Sequence, residues 1–258
     1  MRIIVIPDVQ IKPGADLSYI RWISRYIVDK KPQILCILGD WGDMPSLSSY
    51  DIGTKAFEGR NYRDDILAAN DGLQILMAPI QEEQEKLIKG HRTHWNLRKV
   101  ALLGNHEERI NVAINRDRKL DGLISTNDIF FAQWGFEVYP FLEVVIIEGI
   151  AFSHYFCSGV MGRPITTARS LLNKMHMSCI AGHQQGYDIA TANRADGARL
   201  TGIIAGSAYP HDEGYLNAQT NQHWRGILML NEVNGGTFDA MQVSLKFLEE
   251  RYNRKVAA

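Results

Sequence analysis

Five short polar motifs, each at the end of an apolar run, hold the residues of this chain that could do chemistry. They are Pro7-Asp8-Val9-Gln10, Gly39-Asp40-Trp41-Gly42-Asp43, Gly104-Asn105-His106-Glu107, the lone His154, and Gly182-His183-Gln184-Gln185. Carboxylates, an amide and imidazoles together make an oxygen-and-nitrogen donor set of the kind that holds a catalytic transition metal. The preceding runs are Ile3–Ile6, Ile34–Leu38, Val100–Leu103, Ile150–Ser153 and Cys179–Ala181. Each is short and apolar, which reads as a buried strand. In a layered α/β protein, residues at strand ends converge on one edge of the sheet, where ligands bind. Motifs far apart in the chain are therefore expected to meet.

The elements that must carry these motifs are legible around them. Leu17, Ile20, Trp22, Ile23, Tyr26 and Ile27 recur at helical spacing, and Pro32 stops the helix before the second strand. That β-α-β opening predicts parallel strands with a crossover helix. Residues 44–95 contain no strand-like run and predict a helical insertion, with one helix over Asp64–Met77, a break near Pro79 and a second helix over Gln81–Ile88. The insertion leaves the chain beside the second motif and is expected to overhang the site as a cap. A helix from about Glu107 to Ile114 should follow the third motif. The C-terminal half predicts short strands at Val144–Ile147, Ile150–Ser153, Cys179–Ala181, Ile189–Ala192, Thr201–Ala205, Ile227–Leu230 and Met241–Leu245, with Glu148-Gly149 as a hairpin turn. A parallel half followed by a more antiparallel half predicts an α/β fold, a four-layer αββα sandwich of two mixed β-sheets flanked by helices. One domain is expected over residues 1–250, with 251–258 a frayed tail.

Composition bounds the rest. The chain has 258 residues, 45% hydrophobic and 22% charged, as a globular protein with a large core does. The four apolar residues after Met1-Arg2 are too few for a signal-peptide core. No run approaches the ~18 apolar residues of a membrane span, so no membrane partner and a cytoplasmic location are expected. Cys36, Cys157 and Cys179 are odd in number and lie in or beside apolar runs, which predicts buried free thiols. The net charge of −1 provides no global field for nucleic acid. Residues 89–119, however, hold eight Lys and Arg against three Asp and Glu, and the third motif lies inside them.

The five motifs, in this order, resemble the calcineurin-like metallophosphoesterase superfamily, whose pattern runs D-x-H, G-D-x-x-D, G-N-H-[DE], H and G-H-x-H. The second, third and fourth elements stand intact, while Gln10 and Gln185 occupy positions that usually carry His. The likeness spans residues 2 to about 245. Its texture is similar to phage-encoded members, through Pro32-Gln33, the Met44–Tyr50 stretch, Arg109 and His223-Trp224-Arg225-Gly226; a phage protein would work in the host cytoplasm. The resemblance implies the metallophosphoesterase fold and one divalent metal held by Asp40, Asn105, His154 and His183, with Mn²⁺, Fe²⁺, Co²⁺, Ni²⁺ or Zn²⁺ suited to it. A second ion would sit on Asp8, Gln10, Gln185 and the bridging Asp40. Without imidazoles that second site is expected to be the weaker one and to favour Mn²⁺, Mg²⁺ or Ca²⁺. Mn²⁺ is the cofactor that serves both.

Two cations can activate a water between them and neutralise a phosphoryl group in flight. His106 is the candidate general acid for the leaving oxygen, and Asp43 would hold its ring. Arg109, Arg163 in the glycine-rich Gly159–Pro164 loop, and His211 are the candidate substrate-binding residues. The expected function is a metal-dependent phosphoester hydrolase, a phosphodiesterase or nuclease, whose partner is a phosphoester such as nucleic acid. Protein phosphatases of the superfamily carry Arg where Met44 and Leu103 stand here. A phosphomonoesterase, with Arg109 or Arg163 substituting, and a catalytically silent protein-binding relative are the alternatives. For nucleic acid, the insertion and the basic stretch would wall a groove, with Arg92, Arg98, Arg109 and Arg116 following the backbone. Oligomeric state is not legible.

Overall fold

In the computed structural model, which describes residues 1–49, 53, 57–212 and 220–253, strands and helices alternate through the first half of the chain. β1 (Ile3–Ile6) leads through α1 (Ser18–Lys30) to β2 (Ile34–Ile37), and α2 (Tyr62–Lys89) leads to β3 (Arg98–Leu102). After β3 come α3 (Asn105–Arg116) and β4 (Glu137–Tyr139). Four local strands follow, β5 (Val145–Ile147), β6 (Ile150–Ser153), β7 (Cys179–Ala181) and β8 (Tyr187–Asn193), with α4 (Ala168–Met175) between β6 and β7. β9 (Arg199–Ala205), β10 (Gly226–Asn234), β11 (Thr237–Ser244) and α5 (Leu245–Tyr252) complete the chain.

The strands form two mixed sheets, ordered β11-β10-β1-β2-β3-β4 and β5-β6-β7-β9-β8. Ile3, Val5, Cys36, Val100 and Leu102 of the first meet Val145, Ile147, Phe152, Ile180 and Ile203 of the second in one buried layer. On the outer face of the first sheet, Ile4, Ile6, Leu35 and Ile37 pack against Tyr19, Ile23 and Ile27 of α1, Leu73, Leu76 and Ile80 of α2, and Leu248 of α5. On the outer face of the second, Ala151, Cys179 and Ile204 pack against Leu171 and Leu172 of α4. The four-layer α/β sandwich expected from the sequence is what this packing makes. Period-2 alternation explains it: successive residues of β1 feed opposite layers.

Two local expectations are corrected. Pro79 does not end a helix; α2 runs unbroken from Tyr62 to Lys89. A proline removes one backbone bond and crowds the preceding turn, but the α2 face buried on α1 outweighs that cost, and the Ser24 hydroxyl donates to the Leu76 carbonyl at 2.6 Å beside the weak point. The same burial sets residues 62–89 in the helical layer of the core. Of residues 44–61, positions 50–52 and 54–56 lie outside the described residues, Tyr50 among them. The first sheet draws strands from both halves of the chain. β10 returns to pair antiparallel with β1 through Ile3–Leu230 and Val5–Leu228. The tail, too, begins later than residue 251. Tyr252 donates to Asp29 at 2.6 Å and its carbonyl accepts from Arg25 at 2.7 Å; residues 254–258 lie outside the described residues. The Glu148-Gly149 turn does join β5 to β6, with both residues at positive φ (51° and 80°) as a two-residue hairpin requires. The three cysteines are free thiols, Cys36 and Cys179 buried and Cys157 half-buried.

Candidate metal centre

The loops after β1 and β2 are laced together. The Asp40 carbonyl accepts from the amides of Val9 (2.9 Å) and Gln10 (2.8 Å), and Ile11 donates to the Trp41 carbonyl. Gly182 donates to the carbonyl of His154 at 2.9 Å, joining the last two motifs. His154 Nδ1 lies 2.7 Å from the Leu38 carbonyl, joining the fourth to the second. The approach is so close that side chains are excluded at two places. A Cβ on Gly104 would fall 2.1 Å from Asp40 Oδ1, and one on Gly182 would fall 2.5 Å from Asp8 Oδ1. Gln10, Asp40, His183 and Gln185 all adopt left-handed backbone, with φ of 47°, 50°, 68° and 59°. Such conformations cost free energy in non-glycine residues and cluster where geometry serves function.

One buried point receives most of the donors. Asn105 Oδ1 is 2.9 Å from His154 Nε2 and 2.7 Å from His183 Nδ1. Asp40 Oδ2 is 3.4 Å from His154 Nε2. One donor atom each from Asp40, His154 and His183 falls within 4.8 Å of the others, so these three form a candidate metal cluster. His154 points Nδ1 at a backbone carbonyl, the outer contact that leaves Nε2 of a metal-bound histidine as the ligand atom. Burial and then the neighbouring His154 push His183 down to about 4, so it is neutral and able to ligate near pH 7. Burial opposes protonation of His154 too, but Asp40 outweighs it and raises His154 to about 9.

On the β1 side the donors lack partners. Asp8 is buried, its Oδ1 accepts from the His183 amide at 3.0 Å, and its Oδ2 has no hydrogen bond. Both amide atoms of buried Gln10 are likewise without a partner. Burial, reinforced by the Asp40 charge, raises the Asp8 carboxyl to about 7. Gln185 differs: its Oε1 accepts from the Tyr209 hydroxyl at 2.7 Å.

His106 occupies the neighbouring position, with Nδ1 2.8 Å from both the carboxylate and the carbonyl of Asp43. Its Nε2 lies 3.7 Å from Asp40 Oδ2. Burial lowers its pKa, yet Asp40 and Asp43 together leave it raised above 6.5. Arg109 approaches the same ring, Nη2 to Nε2 at 3.3 Å, while Nη1 donates to the Asp43 carbonyl at 2.6 Å. Arg163 is exposed on the loop after His154, and His211 stacks on Tyr209 at 4.6 Å. Arg98 starts β3, a strand that places it ~13 Å from the motif edge, and it forms a paired contact with Glu137 at 2.8 and 2.7 Å.

Sequence reasoning missed Glu107. Its buried carboxylate accepts from the amides of Asp40 (3.0 Å), Gly42 (3.0 Å) and Gly104 (2.7 Å), tying the second motif to the third. The signal was available, since Glu at the third helical position commonly reaches back to the cap amide. Tyr155, whose ring lies 4.8 Å from that of His183, was also missed and carried no such signal.

No protein-family model matches the chain, and no curated protein does. Among solved structures it is similar to the Pseudomonas putida nuclease MPE, with 13% identity, a TM-score of 0.41, and coverage of 93% of this chain and 87% of that one. It is also similar to Yfce, a phosphoesterase from E. coli, with 16% identity, a TM-score of 0.35, and coverage of 95% and 100%. Likenesses this distant carry no argument about activity, so the site must speak for itself. No helix among the described residues is long and apolar enough to cross a membrane.

Proposed function

We propose that this chain is a metal-dependent phosphoester hydrolase of the calcineurin-like type, built as one domain and acting on phosphodiesters, nucleic acid first among them. The observation that carries the reading is the convergence of Asp40, Asn105, His154 and His183 on one point, beside the partnerless Asp8 Oδ2 and Gln10 amide. Buried polar atoms without partners are costly and rare, and a divalent cation would satisfy the Asp8 Oδ2 and Gln10 Oε1 oxygens. Asp40, Asn105, His154 and His183 would hold the tight ion; Asp8 and Gln10 would hold the weaker one, with Mn²⁺ the ion that suits both donor sets. Bound there, such a pair supplies a nucleophile at neutral pH and offsets phosphoryl charge. Gln185, engaged by Tyr209, contributes least to this set.

The protein's own part is proton delivery and orientation. Asp43 fixes the His106 ring by binding Nδ1, which leaves Nε2 to exchange the proton. The carboxylates around it favour the imidazolium, the form that can protonate a departing alkoxide. Arg109 beside Nε2 can grip a phosphoryl oxygen. The experiment is metal analysis of protein purified without chelator, followed by a Mn²⁺-supplemented panel of bis-p-nitrophenyl phosphate, single-stranded and duplex DNA, RNA, cyclic nucleotides and a phosphopeptide. Bound metal with diester turnover is expected. A protein that holds no divalent ion and cleaves nothing in the panel is a scaffold, and the reading is then wrong.

A further inference from the structure

The segment that leaves the site after His154 has a construction the hydrolytic chemistry does not use. β6 ends at Ser153, and three residues past His154 the chain turns back on itself, Cys157 bridging antiparallel to Pro164. Ser158 donates to the Arg163 carbonyl at 2.7 Å, Gly162 to Gly159 at 3.0 Å, and Ile165 to Phe156 at 2.8 Å. Lys174 on α4 also donates to the Ser158 carbonyl. Phe156 and Ile165 anchor the base in the apolar cluster under α4. The base is thus fixed, and the tip is bare: Val160 is 104% exposed and Met161 79%. Turn centres ordinarily take Gly, Asn, Asp, Pro or Ser, which satisfy backbone or tolerate the turn. A Val-Met pair there is an apolar projection into solvent. From residue 155 to 176 the charges are Arg163, Arg169 and Lys174, with no Asp or Glu.

We propose that the 157–164 hairpin is a finger that engages nucleic acid, with Val160 and Met161 packed against the bases and the basic flank facing the sugar–phosphate backbone. The inference rests on the phosphodiesterase reading and names its substrate. Apolar side chains, Met among them, serve as wedges between base steps in proteins that unstack nucleic acid, and cations at their flank neutralise phosphates. Reach agrees. Val160 is six residues from His154, so it lies within ~20 Å of it along an extended chain. At ~3.4 Å per nucleotide that keeps the finger within about six nucleotides of the phosphate at the metal centre.

The test compares Val160→Ser/Met161→Ser, which leaves the charge unchanged, with Val160→Leu/Met161→Leu, each in a His106→Ala background with Mn²⁺ so that bound strands persist. Binding of a fluorescein-labelled single-stranded oligonucleotide is read by anisotropy, and unstacking by 2-aminopurine fluorescence in the same strand. The serine pair should raise Kd at least tenfold and abolish the 2-aminopurine response; the leucine pair should restore both. In the His106 parent, both pairs should hydrolyse bis-p-nitrophenyl phosphate as the unsubstituted protein does. Oligonucleotide affinity within twofold for the serine pair overturns the finger. So does tip-dependent binding to phosphatidylglycerol vesicles with none to oligonucleotide, which would assign the tip to a lipid surface. If small diesters are cleaved but no oligonucleotide binds, the finger fails and the hydrolase reading stands. Tip-dependent oligonucleotide binding without any diester turnover supports the finger and sinks the hydrolase.

Discussion

Glu107→Gln isolates what holds the second and third motifs in register. Glu107 Oε2 accepts two backbone amides, Asp40 and Gly104, and Oε1 accepts one, Gly42. A glutamine that keeps its oxygen at the Oε2 position preserves two of the three bonds. It then turns an NH₂ group toward the Gly42 amide, so one buried donor is left unsatisfied and the charge that strengthened the other two bonds is gone. An orphaned buried donor costs about 1–3 kcal/mol and charged hydrogen bonds are worth about 1.5–3 kcal/mol, so a loss of roughly 2–3 kcal/mol is expected. Against an m-value of about 2–3 kcal/mol/M this lowers the urea midpoint by roughly 1 M. Glu107→Ala orphans all three amides and costs about 3–9 kcal/mol by the same count, a large part of a typical total of about 5–15 kcal/mol. Because the Asp40 backbone is one of the three partners, affinity for the tight ion should fall in parallel, read by Mn²⁺ calorimetry on the folded Gln variant. A Glu107→Gln protein within 0.5 kcal/mol of wild type and with unchanged metal affinity would show that the clamp is dispensable.

The two ions should differ. Mn²⁺ calorimetry is expected to resolve one tight and one much weaker event, and Gln10→His should tighten the second; two equal affinities would contradict the donor assignment. His106→Ala should slow diesters with poor leaving groups by roughly 10²–10⁴-fold and affect p-nitrophenolate release far less, with equal losses on both refuting the acid role. His183→Ala should remove bound metal and turnover together, measured by metal analysis, and a variant that keeps its metal would exclude His183 as a ligand. Stability of the metal-free protein should be nearly level between pH 4 and 6.5 and fall from 6.5 to 9. Between 4 and 6.5 two terms oppose: His183, depressed to about 4 in the fold, costs stability as pH falls, while Asp8, raised to about 7, loses its contribution as pH rises; above 6.5 the stability contributed by His154, raised to about 9, is lost. Melting temperature against pH checks this, and no fall between pH 6.5 and 9 would count against the His154 shift.

The strands that carry the motifs were legible because each is a short apolar run closed by a residue type with its own backbone signature. β1, β2, β6 and β7 fall within a residue of where the sequence places them. Pro79 misled because a local rule was applied where burial of Leu73, Leu76 and Ile80 decides. β4 escaped because three residues, two of them exposed, hold no periodicity; its pairing with β3 supplies the order. Asp40, Asn105, His154 and His183 were named by motif, and the structure sets their side chains beside one another. The engagement of Gln185 by Tyr209 was not legible, because 24 positions separate two residues with no shared pattern.

The return of β10 to the flank of β1 has a consequence for how the chain comes into being. Met1 and Val233 are hydrogen-bonded across 232 positions. During synthesis, β1 emerges well before β10, and the edge of β1 that β10 covers waits unpaired until β10 has been made. Contacts of such separation slow folding, and a waiting apolar edge is a template for wrong partners. A chain cut short at about residue 225 would retain every proposed metal ligand and still lack the strand that closes β1, so nascent fragments should accumulate as aggregates or chaperone clients and not as small working enzymes.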